Sequence, residues 1–242
     1  MGDRIDDALR VLPDFGRMLH LPHQPNCDRD DLVATEEAAS AIFRTHDICV
    51  VEEKIDGSQV GLALPEGGVP FVRNKNHVLN KGYGRKRTNA KMQYAPLWNW
   101  VTEHAGCFDF LEGYFGETVG VYGEWIYAEH TLRYDLAPAD FVAYQIYSPG
   151  LSDFVDPYEA RAALGEAGFV LPPLLGVRVS SYEDLVALAN QPSPWSSRDV
   201  REGVVVKYGD GERLLGQFKM RRASFRPRED FNDSPLVRRG RA

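Results

Sequence analysis

From Ile48 onward the chain is a succession of short apolar runs, each closed by turn-forming residues. Runs at 48–54, 58–64, 69–74, 119–127, 140–147, 202–208 and 213–219 read as strands. β-branched and aromatic residues fill them, and Gly, Pro, Asn or Asp bound most of them. None approaches the roughly 18 apolar residues of a membrane span. Helical signals sit between the runs. Thr35, followed by Glu36 and Glu37, caps a helix through about Thr45. A helical stretch over 90–105 is disturbed by Pro96. Asp156-Pro157 sets a cap and a first-turn proline before a helix that Gly168 ends. Ser181, with Asp184 three residues on, resembles a capping box for a helix to about Asn190. Strands dominate and helices are inserted between them, which predicts an α+β fold of antiparallel β-sheets flanked by helices. Residues 1–47 read as a loop-rich N-terminal segment, with Pro13, Pro22 and Pro25, and residues 226–242 as a short basic C-terminal tail. No internal boundary separates two units, so 1–242 is expected to be one domain.

The first run ends in VEEKIDGSQVG, Val51 to Gly61. Two readings fit it. Lys54 is solvated at an ordinary strand end, with Asp56-Gly57 as a hairpin turn and 59–64 as the second arm. Alternatively, Lys54 stands at the edge of a pocket. Glu124, Glu202 and Lys219 are likewise charged groups within or beside apolar runs, where an unpaired buried charge is expensive. Four such groups suggest a pocket.

The net charge of −7 argues at first against a nucleic-acid partner, but its distribution argues the other way. From Gly67 to Thr102 there is no Asp or Glu, while Arg73, Lys75, Lys81, Arg85, Lys86, Arg87 and Lys91 are basic. From Lys219 to the end, eight basic residues face three acids. Binding of phosphates follows the local field, so two basic segments in an acidic body point to a local phosphate site. The three cysteines, Cys27, Cys49 and Cys107, form no CxxC pattern and read as reduced thiols. The polar, acidic N-terminus is no secretory signal, so a cytoplasmic protein is expected.

At this point the residues carry a resemblance. KIDGS, Lys54 to Ser58, resembles the K-x-D-G motif of covalent nucleotidyltransferases, the polynucleotide ligases and mRNA capping enzymes. YGEWIYAEHTLRYD, Tyr122 to Asp135, resembles motif III of RNA ligases in particular. DFVAYQIY (Asp140–Tyr147) is similar to motif IIIa, REGVVVKY (Arg201–Tyr208) to motif IV and GQFKMRRASF (Gly216–Phe225) to motif V. HLPHQPNCDRDDLV, His20 to Val33, and the closing SPLVRRGR resemble the ends of bacterial and phage RNA ligases. K-x-D-G alone is a common string; five motifs in order are a specific signal.

The resemblance implies a nucleotidyltransferase fold and an ATP-dependent RNA ligase that seals 5′-phosphate and 3′-hydroxyl ends through a covalent lysyl-AMP and an adenylylated RNA. By that resemblance Lys54 is the nucleophile, and its amine needs a lowered pKa, with Lys219 a fitting cationic neighbour. Glu124 meets the ribose, Tyr144 stacks on adenine, and Glu202, with Glu124, holds Mg²⁺ or Mn²⁺ directly or through water. Lys219 neutralises the triphosphate. The family usually shows K-x-K in motif V; here Lys219-Met220-Arg221-Arg222 leaves Arg221 and Arg222 as alternatives for the second cation. Arg73 and Lys75 are alternatives for a phosphate contact after motif I. Glu52, on the Lys54 face of a strand, or the backbone of Glu53 on the other, is expected at the nucleobase. Ile55 and Gly57 complete the nucleotide set, Gly57 by allowing close backbone approach. His77 and His130 are expected to be structural or to lie on the RNA side.

DNA ligases and capping guanylyltransferases are the neighbouring alternatives. Both usually carry an OB-fold domain after motif V, and the 226–242 tail is too short for one. A minimal ligase without a C-terminal OB domain is therefore implied, with RNA-end selection left to the N-terminal segment, the tail or a protein partner. A non-catalytic RNA-binding scaffold on the same fold is the alternative from another class.

Overall fold

A computed structural model of the protein describes residues 2–22, 27, 31–44, 49–81, 89–228 and 237–238. Arg85, Lys86 and Arg87 of the basic loop, and most of the tail, lie outside the described residues. In chain order the elements are α1 (Gly2–Val11), β1 (Leu19–His20), α2 (Glu36–Arg44), β2 (Val50–Lys54), β3 (Ser58–Ala63), β4 (Phe71–Asn74), α3 (Asn89–Met92), α4 (Leu97–Glu103) and α5 (Ala105–Phe115). They continue with β5 (Gly120–Trp125), β6 (Phe141–Ser148), β7 (Asp153–Phe154), α6 (Pro157–Glu166), β8 (Leu174–Gly176), α7 (Tyr182–Ala189), β9 (Gly203–Gly209) and β10 (Leu214–Arg221).

The strands form two five-stranded sheets, ordered β1-β10-β9-β2-β8 and β4-β3-β5-β6-β7. Pairing is antiparallel throughout except for β1, which lies parallel to β10. The α+β expectation holds. The hairpin expectation at Asp56-Gly57 does not. β2 and β3 belong to different sheets, so the turn passes the chain from one sheet to the other. A Cβ on Gly57 would lie 2.8 Å from the Trp125 carbonyl oxygen and 2.9 Å from the Glu124 side chain, so the crossing needs a glycine for closeness.

Each sheet has its own core. The first packs Val51, Val204, Val206, Phe218 and Met220 against Ile42 of α2 and Leu185 of α7. The second packs Val60, Leu62, Val121, Phe141 and Ile146 against Leu97, Val101, Leu111, Ala160 and Leu164 of α4, α5 and α6. The caps at Asp156 and Ser181 form as expected: Asp156 accepts from the Tyr158 and Glu159 amides, and Ser181 from the Asp184 amide.

Two helical expectations change. Residues 90–105 break at Pro96, as expected, but a further helix runs on to Phe115 and stops at Gly116, whose φ is 70°. The N-terminal segment, expected to be loop-rich, contains α1. Ala8, Val11 and Leu12 fall at helical spacing and are buried, Val11 and Leu12 in one cluster with Ala63 and Tyr122. Among the described residues, no helix is long and apolar enough to cross a membrane.

Candidate active site

A cavity of roughly 300 Å³ opens between the two sheets. One wall is built by β2, β9 and β10. There Glu52, Val205 and Lys219 lie abreast in register, as do Lys54, Gly203 and Arg221 one step further along. The other wall presents Gln59 of β3, Glu124 of β5 and Tyr144 of β6. Gly57 joins the walls. Phe15, Gly16, Arg17, Met18 and Asp31 of the N-terminal segment complete the lining.

Lys54 ends β2 with its Nζ donating to a Glu202 carboxylate oxygen at 2.7 Å. The Lys54 side chain is 23% exposed and that of Glu202 5%, so the amine is reachable while its partner is not. Burial pulls the Lys54 amine down, but the carboxylates of Glu202, Glu124 and Asp56 outweigh it, and its pKa is raised. The expected lowering appears on the neighbour instead: burial, then the Lys54 charge, brings Lys219 down to about 8. Burial pushes Glu202 up to about 7 against the pull of Lys54. Glu124 rises to about 8, by burial first and then, against Lys54, by the charges of Glu202 and Asp56. The end of the cavity around Lys54 thus has more carboxylate than cation to balance it. Such hard oxygen donors, strained by their own repulsion, fit a divalent cation of the Mg²⁺ or Mn²⁺ type at Glu202 and Glu124.

Glu52 is buried beneath the cavity between two cations, at 2.5 Å from Arg161 Nη1 and 2.6 Å from Lys207 Nζ. Lys207, equally buried, also donates to the Tyr144 carbonyl at 2.6 Å and lies over the Tyr144 ring. The Tyr144 hydroxyl accepts from Gln59 Nε2 at 3.2 Å. Glu53 points to the opposite face, where Arg201 Nε is 3.4 Å away, and burial raises its pKa. Ile55 reaches the cavity while packing with Ile126, Leu132, Tyr134 and Phe225.

The two pairs of alternatives separate in space. Lys75 is exposed and lines the cavity. Arg73 does not line it; it is buried, donating to the Leu12 carbonyl at 2.7 Å and sitting 3.6 Å from Asp14. β4 ends at Asn74, between the two residues, so strand alternation does not hold them to one face. Arg221 pairs with Asp31, which lines the cavity. Arg222 turns elsewhere, to the Arg201 carbonyl and Ser224 Oγ. His130 lies 3.4 Å from both Ser58 Oγ and Gln93 Oε1, while exposed His77 sits in the turn after β4, where its amide donates to Asn74 Oδ1.

Sequence reasoning left out Lys207, Arg161, Gln59 and the N-terminal residues of the lining. Lys207 carried the signal used for the other charges, a cation inside an apolar strand run. The others carried none, because their approach depends on pairing across the two sheets.

The sequence profile described as RNA ligase matches residues 47–225. The chain belongs to the RNA ligase family. Membership rests on that profile, which spans all five motifs of the family. Comparison with curated protein sequences finds no match. Among solved structures, the chain is similar to a Naegleria gruberi RNA ligase with PPi, at 21% identity and a TM-score of 0.51, over 73% of this chain and 50% of that one. A lysine-to-alanine mutant of that ligase with ATP and Mn gives 22% identity and a TM-score of 0.51 over the same shares. Another, also with ATP and Mn, gives 19% and 0.54 over 87% of this chain and 60% of that one. The likeness is one of fold, and the chain spans about half to three-fifths of the length of these ligase chains.

Proposed function

We propose that the protein is an ATP-dependent RNA ligase that joins a 5′-phosphate to a 3′-hydroxyl through a covalent lysyl-AMP. The observation that carries the reading is Lys54 at 2.7 Å from Glu202 on one wall of a cavity whose other wall supplies Glu124 and Tyr144. The Naegleria ligase structures with ATP and Mn, and the family itself, support ATP as the nucleotide.

Tyr144 offers its ring to the base, and buried Glu52 and Lys207 offer an acceptor and a donor to the base edge. Glu124 faces the sugar. The Lys54 amine must give up a proton to solvent before it attacks, because the Glu202 carboxylate at 2.7 Å favours its charged form. Lys54 Nζ then attacks the α-phosphorus; the P–N bond forms and the P–O bond to pyrophosphate breaks. Lys219 and Lys75 offset charge on the departing pyrophosphate. Mg²⁺ or Mn²⁺ at Glu202 and Glu124 would supply positive charge that frees the Lys54 amine and spreads the phosphate charge. A 5′-phosphate oxygen of RNA next attacks the AMP phosphorus, breaking the P–N bond, and Lys54 regains a proton. The 3′-hydroxyl finally attacks the 5′-phosphorus and AMP leaves.

Incubation with α-labelled ATP or GTP and Mg²⁺ tests the reading. Covalent label from ATP, absent from Lys54→Ala, is expected. Label from GTP alone would make the protein a capping-type enzyme, and no label from either would make it a scaffold. Nicked RNA and DNA duplexes then report which ends are sealed.

A further inference from the structure

His20, Cys27 and Asp31 bring three kinds of metal-ligating atom to one place. An imidazole nitrogen, a sulfur and a carboxylate oxygen all lie within 4.8 Å of one another. The chain builds this cluster by folding back on β1. On one side β1 pairs with β10 and sets His20 against Lys219. On the other side the His20 amide donates to the Leu32 carbonyl at 2.7 Å, and the Ala34 amide donates to the His20 carbonyl at 2.8 Å. His20 is fully buried between them. Asp31, just before the returning stretch, places Oδ1 3.1 Å from His20 Nε2. Its other carboxylate oxygen pairs with Arg221. Cys27 is half-buried.

The donor set narrows what the cluster can hold. A buried imidazole beside a carboxylate is common without any ion; the sulfur changes the chemistry. Mg²⁺ and Mn²⁺ favour oxygen donors, whereas zinc takes nitrogen, sulfur and oxygen together. With zinc bonds of about 2.0–2.3 Å, neighbouring atoms of a tetrahedron stand about 3.3–3.6 Å apart. The His20–Asp31 contact then opens by a few tenths of an ångström, and the widest pair closes by about 1.5 Å at most. Charge fits as well. Neutral imidazole, thiolate and carboxylate together balance Zn²⁺, so the neighbouring cations Arg221 and Lys219 face a site of no net charge.

We propose that His20, Cys27 and Asp31 bind a zinc ion, with water in the fourth position, and that the ion clips the N-terminal segment to the edge of β10. On binding, the Cys27 thiol releases its proton to solvent and His20 coordinates as the neutral imidazole. This site is separate from the divalent cation at Glu202 and Glu124, where the donors are oxygens. It reaches the cavity through Asp31, which lines it and pairs with Arg221, so the clip sets where that guanidinium stands. No CxxC spacing marks the site, because His20 comes from a strand and its pairing with Val33 brings the stretch between them back.

Competition of the full chain against a chromophoric zinc chelator, together with Co²⁺ titration, tests the proposal. One zinc per chain is expected, not displaced by excess Mg²⁺. Co²⁺ is expected to give a thiolate-to-metal charge-transfer band, which an all-oxygen site at Glu202 and Glu124 does not produce. Cys27→Ser is expected to abolish the band and to weaken zinc by about tenfold or more. Cys107→Ser removes a thiol packed in the core of the other sheet and is expected to change neither. Both exchanges conserve size, and unchanged far-ultraviolet circular dichroism is expected. Wild-type protein without the cobalt band would overturn the proposal. So would a band that survives Cys27→Ser, or a zinc affinity equal in wild type and Cys27→Ser, which would put the ion on oxygen donors elsewhere.

Discussion

On the β2–β9–β10 side of the cavity, buried carboxylates meet cations in opposite pairs: Glu52 between Lys207 and Arg161, Glu202 against Lys54. On the β3–β5–β6 side, Gln59 and Tyr144 meet through a neutral hydrogen bond, and the carboxyl of Glu124 is pushed to about 8. The first wall holds its charges in place by their partners. The second holds shape by packing and neutral contacts. Group transfer needs both: charges preorganised around a phosphate, and a surface that fixes where the nucleotide lies.

Removing a partner should therefore cost far more on the first wall than on the second. Glu52→Ala leaves the buried Lys207 cation, and the half-buried Arg161, without their shared carboxylate and is expected to destabilise the protein by about 3–5 kcal/mol, read from urea unfolding. Gln59→Ala removes one neutral hydrogen bond and is expected to cost about 0.5–1.5 kcal/mol. Equal costs would break the contrast. Gly57→Ala falls between them, at about 1–3 kcal/mol, because its Cβ would press on Trp125 and Glu124 where the walls meet. It should also slow self-adenylylation, because the Glu124 wall would shift from the Lys54 wall.

A pH dependence sharpens the contrast on the second wall. A carboxyl whose pKa is raised by folding contributes less stability as pH climbs from its unfolded value toward its folded one. For Glu124 that window runs from about 4.5 to about 8. Metal-free protein should thus lose melting temperature across it, and Glu124→Gln should flatten the slope. A slope identical in the two proteins would remove the strained carboxyl from the picture.

Much of this was legible because local chemistry decided it. The caps at Asp156 and Ser181 needed only neighbouring residues, and the strands of the motifs formed close to where apolar runs placed them. Asp56-Gly57 misled because a turn dipeptide looks the same whether its strands pair or part; the decision belongs to β9 and β5, which are distant in sequence. α1 was missed because Asp3, Asp6 and Asp7 masked the apolar face of Ala8 and Val11. Arg73 and Lys75 separated only when Leu12, from the first segment of the chain, took the arginine. The Lys54 amine ran against expectation because counting nearby cations ignored three carboxylates brought in from other strands or turns.

The parallel seating of β1 on β10 has a practical corollary for anyone trimming the molecule. A version starting near Ala34 would lose the cover that β1 gives the outer edge of β10 at Phe218 and Lys219, leaving a longer bare sheet margin. Such margins recruit strands from other copies. Shortened versions should therefore elute as oligomers even if the remaining core folds. Loss of labelling in them would then reflect clustering as much as the missing residues.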